Sequence, residues 1–127
     1  MEKLVNKNYA RGFWAEDKCV KQLREVGGWA ERNYASKGTL DVVSVDKEGL
    51  THLIQVKRSK RNIVSIEAIN HQFATDLEYM RLIPDLKAGM VELWIWFDRH
   101  GKAGEQGYRK AGWRKFRVLD IGLIEMG

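Results

Sequence analysis

Apolar and polar positions alternate along this chain with two distinct periods. Between Phe13 and Val26 the apolar residues Ala15, Cys19, Leu23 and Val26 recur every three or four positions, the spacing of one helix face. Gly27-Gly28 ends that run, because glycine disfavours helix and reaches left-handed dihedrals. Trp29 to Tyr34 reads as a short strand and Ser36 to Thr39 as a turn. Leu40 to Val45 and Leu50 to Lys57 are denser in branched residues, and the short Asp46-Lys47-Glu48-Gly49 link joins them as an antiparallel hairpin. The helical period returns with Ile66, Ile69, Phe73, Leu77 and Met80. Ser65 stands at the cap position, with Ala68 where a capping box places Glu. Pro84 and Gly89 mark the exit. Val91 to Phe97 reads as a buried strand, Asp98 to Gly112 as a loop or extended hairpin turn, and Trp113 to Ile121 as a last strand. Helix, three strands, helix and two strands predict an α/β protein: a single domain, 1–127, with a central mixed five-stranded sheet flanked by helices.

Composition narrows the class. A chain of 127 residues with 44% apolar residues, five Trp and one Pro can bury a core and is not a disordered tail. No apolar run reaches the roughly 18 residues of a membrane-spanning helix. The first residues, MEKLVNKNYARG, lack an apolar segment with a small-residue cleavage site, so a cytoplasmic or nucleoid-associated location is expected, or the host cytoplasm for a viral protein. Cys19 is the one cysteine, which excludes an internal disulfide and a cysteine-rich zinc site; its helical spacing assigns it to the core. His52 and His71 lack a second imidazole at metal-ligand spacing and read as outward residues of a strand and a helix. There is no phosphate-binding glycine loop of the ATPase kind, so no nucleotide cofactor is expected.

The net charge of +5 is uneven along the chain. Lys57, Arg58, Lys60 and Arg61 form one basic cluster; Lys102, Arg109, Lys110, Arg114, Lys115 and Arg117 form another, interrupted only by Glu105. Basic clusters beside an acidic site suit a phosphate backbone.

Four residues carry the candidate chemistry: Glu16, Asp41, Gln55 and Lys57. Strand alternation puts Gln55 and Lys57 on one face and Ile54 and Val56 on the other. Asp41 opens an otherwise apolar strand, where its carboxylate is costly to desolvate without a partner or a cation. Taken alone, an Asp41–Lys57 salt bridge at the hairpin mouth accounts for the pair. A metal site accounts for more. Phosphodiester hydrolysis by Mg²⁺ calls for oxygen ligands, which Asp41, Gln55, the Val56 carbonyl and Glu16 supply, with Lys57 left for the water or the phosphate.

At these residues the chain resembles the archaeal-type Holliday junction resolvases of the PD-(D/E)xK, restriction-endonuclease-like nuclease superfamily. The matching pieces are Arg11-Gly12-Phe13-Trp14-Ala15-Glu16, Arg32, Ser36-Lys37-Gly38-Thr39-Leu40-Asp41 and Ile54-Gln55-Val56-Lys57, followed by Val91 to Phe97 and Gly112-Trp113-Arg114-Lys115-Phe116. The resemblance extends from about Ala10 to Ile121. It implies that Glu16 is the helix carboxylate of the site, Asp41 a metal ligand and Lys57 the catalytic lysine. It also implies that Arg11, Ser36, Lys37 and Thr39 face phosphate. Arg32, Arg58, Lys60 and Arg61 complete the expected DNA-binding set. The implied activity is paired cleavage of DNA four-way junctions by a homodimer with Mg²⁺, for which Mn²⁺ substitutes. The sequence departs from that pattern at Gln55, where such resolvases carry Glu; relatives among Mrr-like nucleases carry Gln there. A general or repair-type DNA endonuclease of the same fold, and a noncatalytic DNA-binding protein, are the other functions these residues allow.

Overall fold

The computed structural model describes residues 7–33, 40–61, 63–84 and 89–127, and of residues 7–11 the backbone alone. Helix α1 (Lys7–Glu25) leads into strand β1 (Trp29–Arg32), β2 (Val42–Val45) and β3 (Thr51–Ser59). Helices α2 (Ile66–Gln72) and α3 (Ala74–Met80) cross over to β4 (Gly89–Phe97), and β5 (Gly112–Leu119) and β6 (Gly122–Met126) complete the chain. The strands lie in one sheet in sequence order. All neighbouring pairs are antiparallel except β3 and β4, which run parallel through the helical crossover.

The sheet has six strands rather than the five expected. The strand expected from Trp113 to Ile121 is β5, which ends at Leu119; Asp120 and Ile121 form a tight turn, Leu119 pairs with Gly122, and β6, beyond the expected strand, is the addition. The second helical run is divided. Phe73 has non-helical dihedrals, ending α2 and starting α3, although Leu77 N still donates to the Phe73 carbonyl. The stripe Ile69, Phe73, Leu77 and Met80 stays buried across the break, so burial holds the two pieces in line.

Local chemistry places the remaining ends as the sequence suggests. Gly27 takes φ 91°, its amide donates to the Arg24 carbonyl, and Gly28 donates to Leu23. This doubly bonded left-handed end needs a residue without a Cβ. Ser65 caps α2 by accepting from Ala68 N at 3.1 Å. Between β4 and β5, His100 and Arg109 exchange both backbone hydrogen bonds, so the glycine-rich segment is an extended hairpin.

Two cores result, one on each face of the sheet. Ala15, Cys19 and Val20 of α1 pack on Val42, Ile54, Val56 and Trp94. On the opposite face α2 and α3 cover Leu93, Ile95, Phe97, Phe116 and Val118. Cys19 is fully buried, and desolvation, followed by the nearby Glu92 charge, pushes its thiol far above the ordinary range. It is a core residue and no nucleophile. Among the described residues no helix is long and apolar enough to cross a membrane.

Candidate active site

The site lies where β2 ends and β3 continues. Val42 pairs with Ile54, and Asp41 N still donates to the Ile54 carbonyl at 2.9 Å. One step further the ladder partner is a side chain: Val56 N donates to Asp41 Oδ2 at 2.9 Å. Beyond that point, among the described residues, β3 keeps only β4 at its flank, and residues from both sheet faces meet at one cleft. Gly12, Glu16, Asp41, Gln55, Val56, Lys57 and Arg58 line a cleft of about 400 Å³ there. A larger cleft, about 530 Å³, lies by Met80, Arg81 and Met90. Its Arg81 is spent on the Leu119 carbonyl at 2.8 Å, so the donor set, not volume, marks the smaller cleft.

Asp41 is the most perturbed carboxylate of the cleft. Desolvation raises its pKa from 3.8 to about 6; the Val56 amide opposes this, Glu16 and Asp76 add to it, and Lys57 lowers it. Such a carboxylate lacks a sufficient cation. Gln55 pairs in register with Leu93, placing it on the α2–α3 face. It is 5% exposed, and its Oε1 is buried without a hydrogen-bond partner. An unpartnered buried acceptor costs about 1–3 kcal/mol, which is how a donor or cation site announces itself.

The other expected residues are distributed less simply. Glu16, on α1, is gripped by Arg32: Nε at 3.0 Å and the terminal nitrogen at 2.6 Å both reach Oε1. Arg32 also lies over the Phe13 ring at 3.8 Å. Lys57 pairs with Asp76 of α3 at 3.2 Å rather than with Asp41, so the plain hairpin-mouth bridge is not formed among the described residues. Asp76 was not a sequence candidate, since no local spacing links it to β3. Arg58 bonds Asp98 at 2.9 Å and stacks over Trp14 at 4.4 Å; Arg61 reaches Gln72 at 3.2 Å, and Lys60 is exposed. The side chain of Arg11, and Ser36, Lys37 and Thr39, lie outside the described residues. The second basic cluster is partly drawn inward: Arg114 binds Glu125 and the Ile63 and Val64 carbonyls, and Lys115 lies over Trp94.

Among the described residues no group of three or more His, Cys, Asp or Glu is gathered to hold a metal ion. The cause is local: position 55 is an amide, and Glu16 is held by Arg32. What the cleft does offer is oxygen, from the Asp41 carboxylate and the unpartnered Gln55 Oε1. Oxygen donors of this kind fit a hard divalent cation such as Mg²⁺, which retains several waters and needs few protein ligands.

His52 is not an outward strand residue. Its Nδ1 meets Glu92 Oε2, and its Nε2 lies 2.8 Å from Asp46 Oδ2, while Trp94 Nε1 donates to Glu92 Oε1 at 2.8 Å. Burial lowers the His52 pKa, but the bonds to Asp46 and Glu92 outweigh it and raise it overall. His52 is thus the partner of Glu92, which is 1% exposed inside the sheet. Alternation alone does not reveal this, because a charged residue in the buried strand β4 has to find its partner across the sheet.

Compared by sequence, the chain matches no family profile and no curated protein. Among solved structures it is similar to a Holliday junction resolvase from the archaeal hyperthermophile Archaeoglobus fulgidus. The TM-score is 0.50, over 91% of this chain and 83% of that one, at 17% sequence identity. The fold is restriction-endonuclease-like. At that identity the likeness is one of architecture: a mixed sheet flanked by helices.

Proposed function

We propose that this protein is a Mg²⁺-dependent endonuclease that resolves DNA four-way junctions, with Mn²⁺ able to substitute. The observation carrying this reading is the juxtaposition, on this fold, of a desolvated Asp41, an unpartnered Gln55 oxygen and Lys57 in one open cleft. Asp41, Gln55 Oε1 and the Val56 carbonyl are the groups that hold the cation, with Glu16 completing the site directly or through water, and the Val56 amide orients Asp41. When bound, the cation supplies Lewis-acid polarisation of the phosphoryl group and activation of the attacking water. Glu16 stands at the same cleft and adds negative charge, oriented by Arg32. Lys57 offers its ammonium to the scissile phosphate as charge builds there. Lys60 and Arg61, with Arg58 at the cleft rim, bind the flanking backbone in a salt-dependent way, and Arg11 and the Ser36, Lys37 and Thr39 segment take the phosphates nearest the cut. Two symmetric cuts across a branch point call for a homodimer, and shape rather than base identity selects the substrate.

The test is cleavage of a strand-labelled immobile four-way junction beside its linear arms, in Mg²⁺ or EDTA, by wild type and D41A. Paired Mg²⁺-dependent cuts near the crossover, lost in D41A, are the expected result. Equal cutting of the linear arms makes it a general DNA endonuclease with the same site. Tight junction binding with no cutting in Mg²⁺ or Mn²⁺ makes it a noncatalytic DNA-binding protein.

A further inference from the structure

The geometry points to Asp76 as a positioning residue that holds Lys57 off Asp41 and so keeps the cleft open to a cation; this rests on the nuclease reading above. Lys57 leaves β3 on the face covered by α2 and α3. Asp76 leaves the first turn of α3 and meets Lys57 Nζ at 3.2 Å, with both side chains about 30% exposed. Asp41, which feels the Lys57 charge, makes no ion pair among the described residues, although its carboxylate is desolvated by burial.

A flexible lysine beside two carboxylates settles on the one that binds it better. Were Asp76 absent, the desolvated Asp41 is the acid left for Lys57. An ammonium there occupies the charge that a divalent cation needs. The unpartnered Gln55 Oε1 is an independent sign that the cleft is built for a ligand this chain does not itself supply. With a neutral amide at position 55, Asp41 is the cation's main charged ligand, so keeping it free of Lys57 matters more than where that position is an acid. Asp76 touches neither substrate nor cation in this role; it acts through Lys57.

The experiment measures Mn²⁺ binding by calorimetry or electron paramagnetic resonance on the full chain. The proteins are wild type, D41A, D76N, K57M and D76N/K57M, with folding of each checked by circular dichroism. D76N is nearly isosteric, so it removes the charge with little change of packing. Its Mn²⁺ affinity should fall about tenfold, the low end of what outer residues contribute to metal sites. The same change in the K57M background should alter affinity by no more than about twofold, the usual additivity error. Unchanged affinity in D76N overturns the proposal and leaves the bridge as a tether between α3 and β3. A tenfold loss that persists in the K57M background also overturns it, since Asp76 then acts on the cation without the lysine. Mn²⁺ binding that is absent in wild type, or equal in wild type and D41A, removes the nuclease reading itself and Asp76's role with it.

Discussion

Replacing Asp41 by Asn should stabilise the protein at neutral pH while abolishing its cation response. The carboxylate's pKa rises on folding from 3.8 to about 6, chiefly through desolvation. At 1.36 kcal/mol per unit this amounts to about 3 kcal/mol, reduced to about 2 kcal/mol because the group keeps some contact with screening solvent. The sign follows from proton linkage. The folded state binds the Asp41 proton more tightly than the unfolded chain, so this group's contribution to stability falls as pH rises from 3.8 to about 6. Above that range it stays at its lower level. Asparagine keeps an acceptor for Val56 N and carries no charge. D41N and wild type should therefore unfold alike near pH 4, and D41N should be more stable by about 2 kcal/mol at pH 8, roughly 8 °C in Tm for a domain of this size. Added Mg²⁺ should raise the stability of wild type at pH 8 and leave D41N unmoved. Urea unfolding followed by tryptophan fluorescence at both pH values, with and without Mg²⁺, measures all of this. A D41N that is no more stable at pH 8, or equally favoured at both pH values, would refute the claim that Asp41 is a buried charge awaiting a cation.

Three further outcomes follow from the same structure. Q55E should tighten Mg²⁺ binding and speed cleavage, yet destabilise the metal-free protein by about 1–3 kcal/mol, because it puts a second charge beside Asp41; calorimetric titration and urea unfolding check the two halves. H52A should cost about 3 kcal/mol by leaving Glu92 buried without its cation. Because the His52 pKa is raised on folding, its contribution is complete below its ordinary value of 6.5 and disappears as pH rises through the folded value, so the gap between wild type and H52A in urea unfolding should narrow in alkali. A gap that widens with pH would show that His52 is not the partner of Glu92. S65A should lose about 1 kcal/mol through the missing cap on α2, measured by the same unfolding, with cleavage unchanged.

Local physics wrote much of this molecule into its sequence. The 3.6 period locates α1 through Ala15 and Cys19, Gly27 ends it, Ser65 starts α2, and the Asp46–Gly49 link turns β2 into β3, because each of these depends on neighbours a few residues away. Strand alternation places Gln55 and Lys57 on the same face, and Asp41 opposite Gln55 follows from the hairpin register. Other features depend on groups far apart in the chain, and only the tertiary structure decided them. Phe73 interrupts the second helix without disturbing its buried stripe, and β6 folds back at Asp120-Ile121 to give the sheet a sixth strand. The pairing of charges was the least legible of all. Arg32 reaches Glu16 across 16 residues, Lys57 chooses Asp76 rather than Asp41, Arg58 finds Asp98, and His52 turns inward to Glu92. Periodicity reports which face a side chain leaves, but not which of several opposite charges stands above that face. That choice belongs to the packing of α1 and α3 on the sheet, and it leaves Asp41 without an ion pair in the described structure.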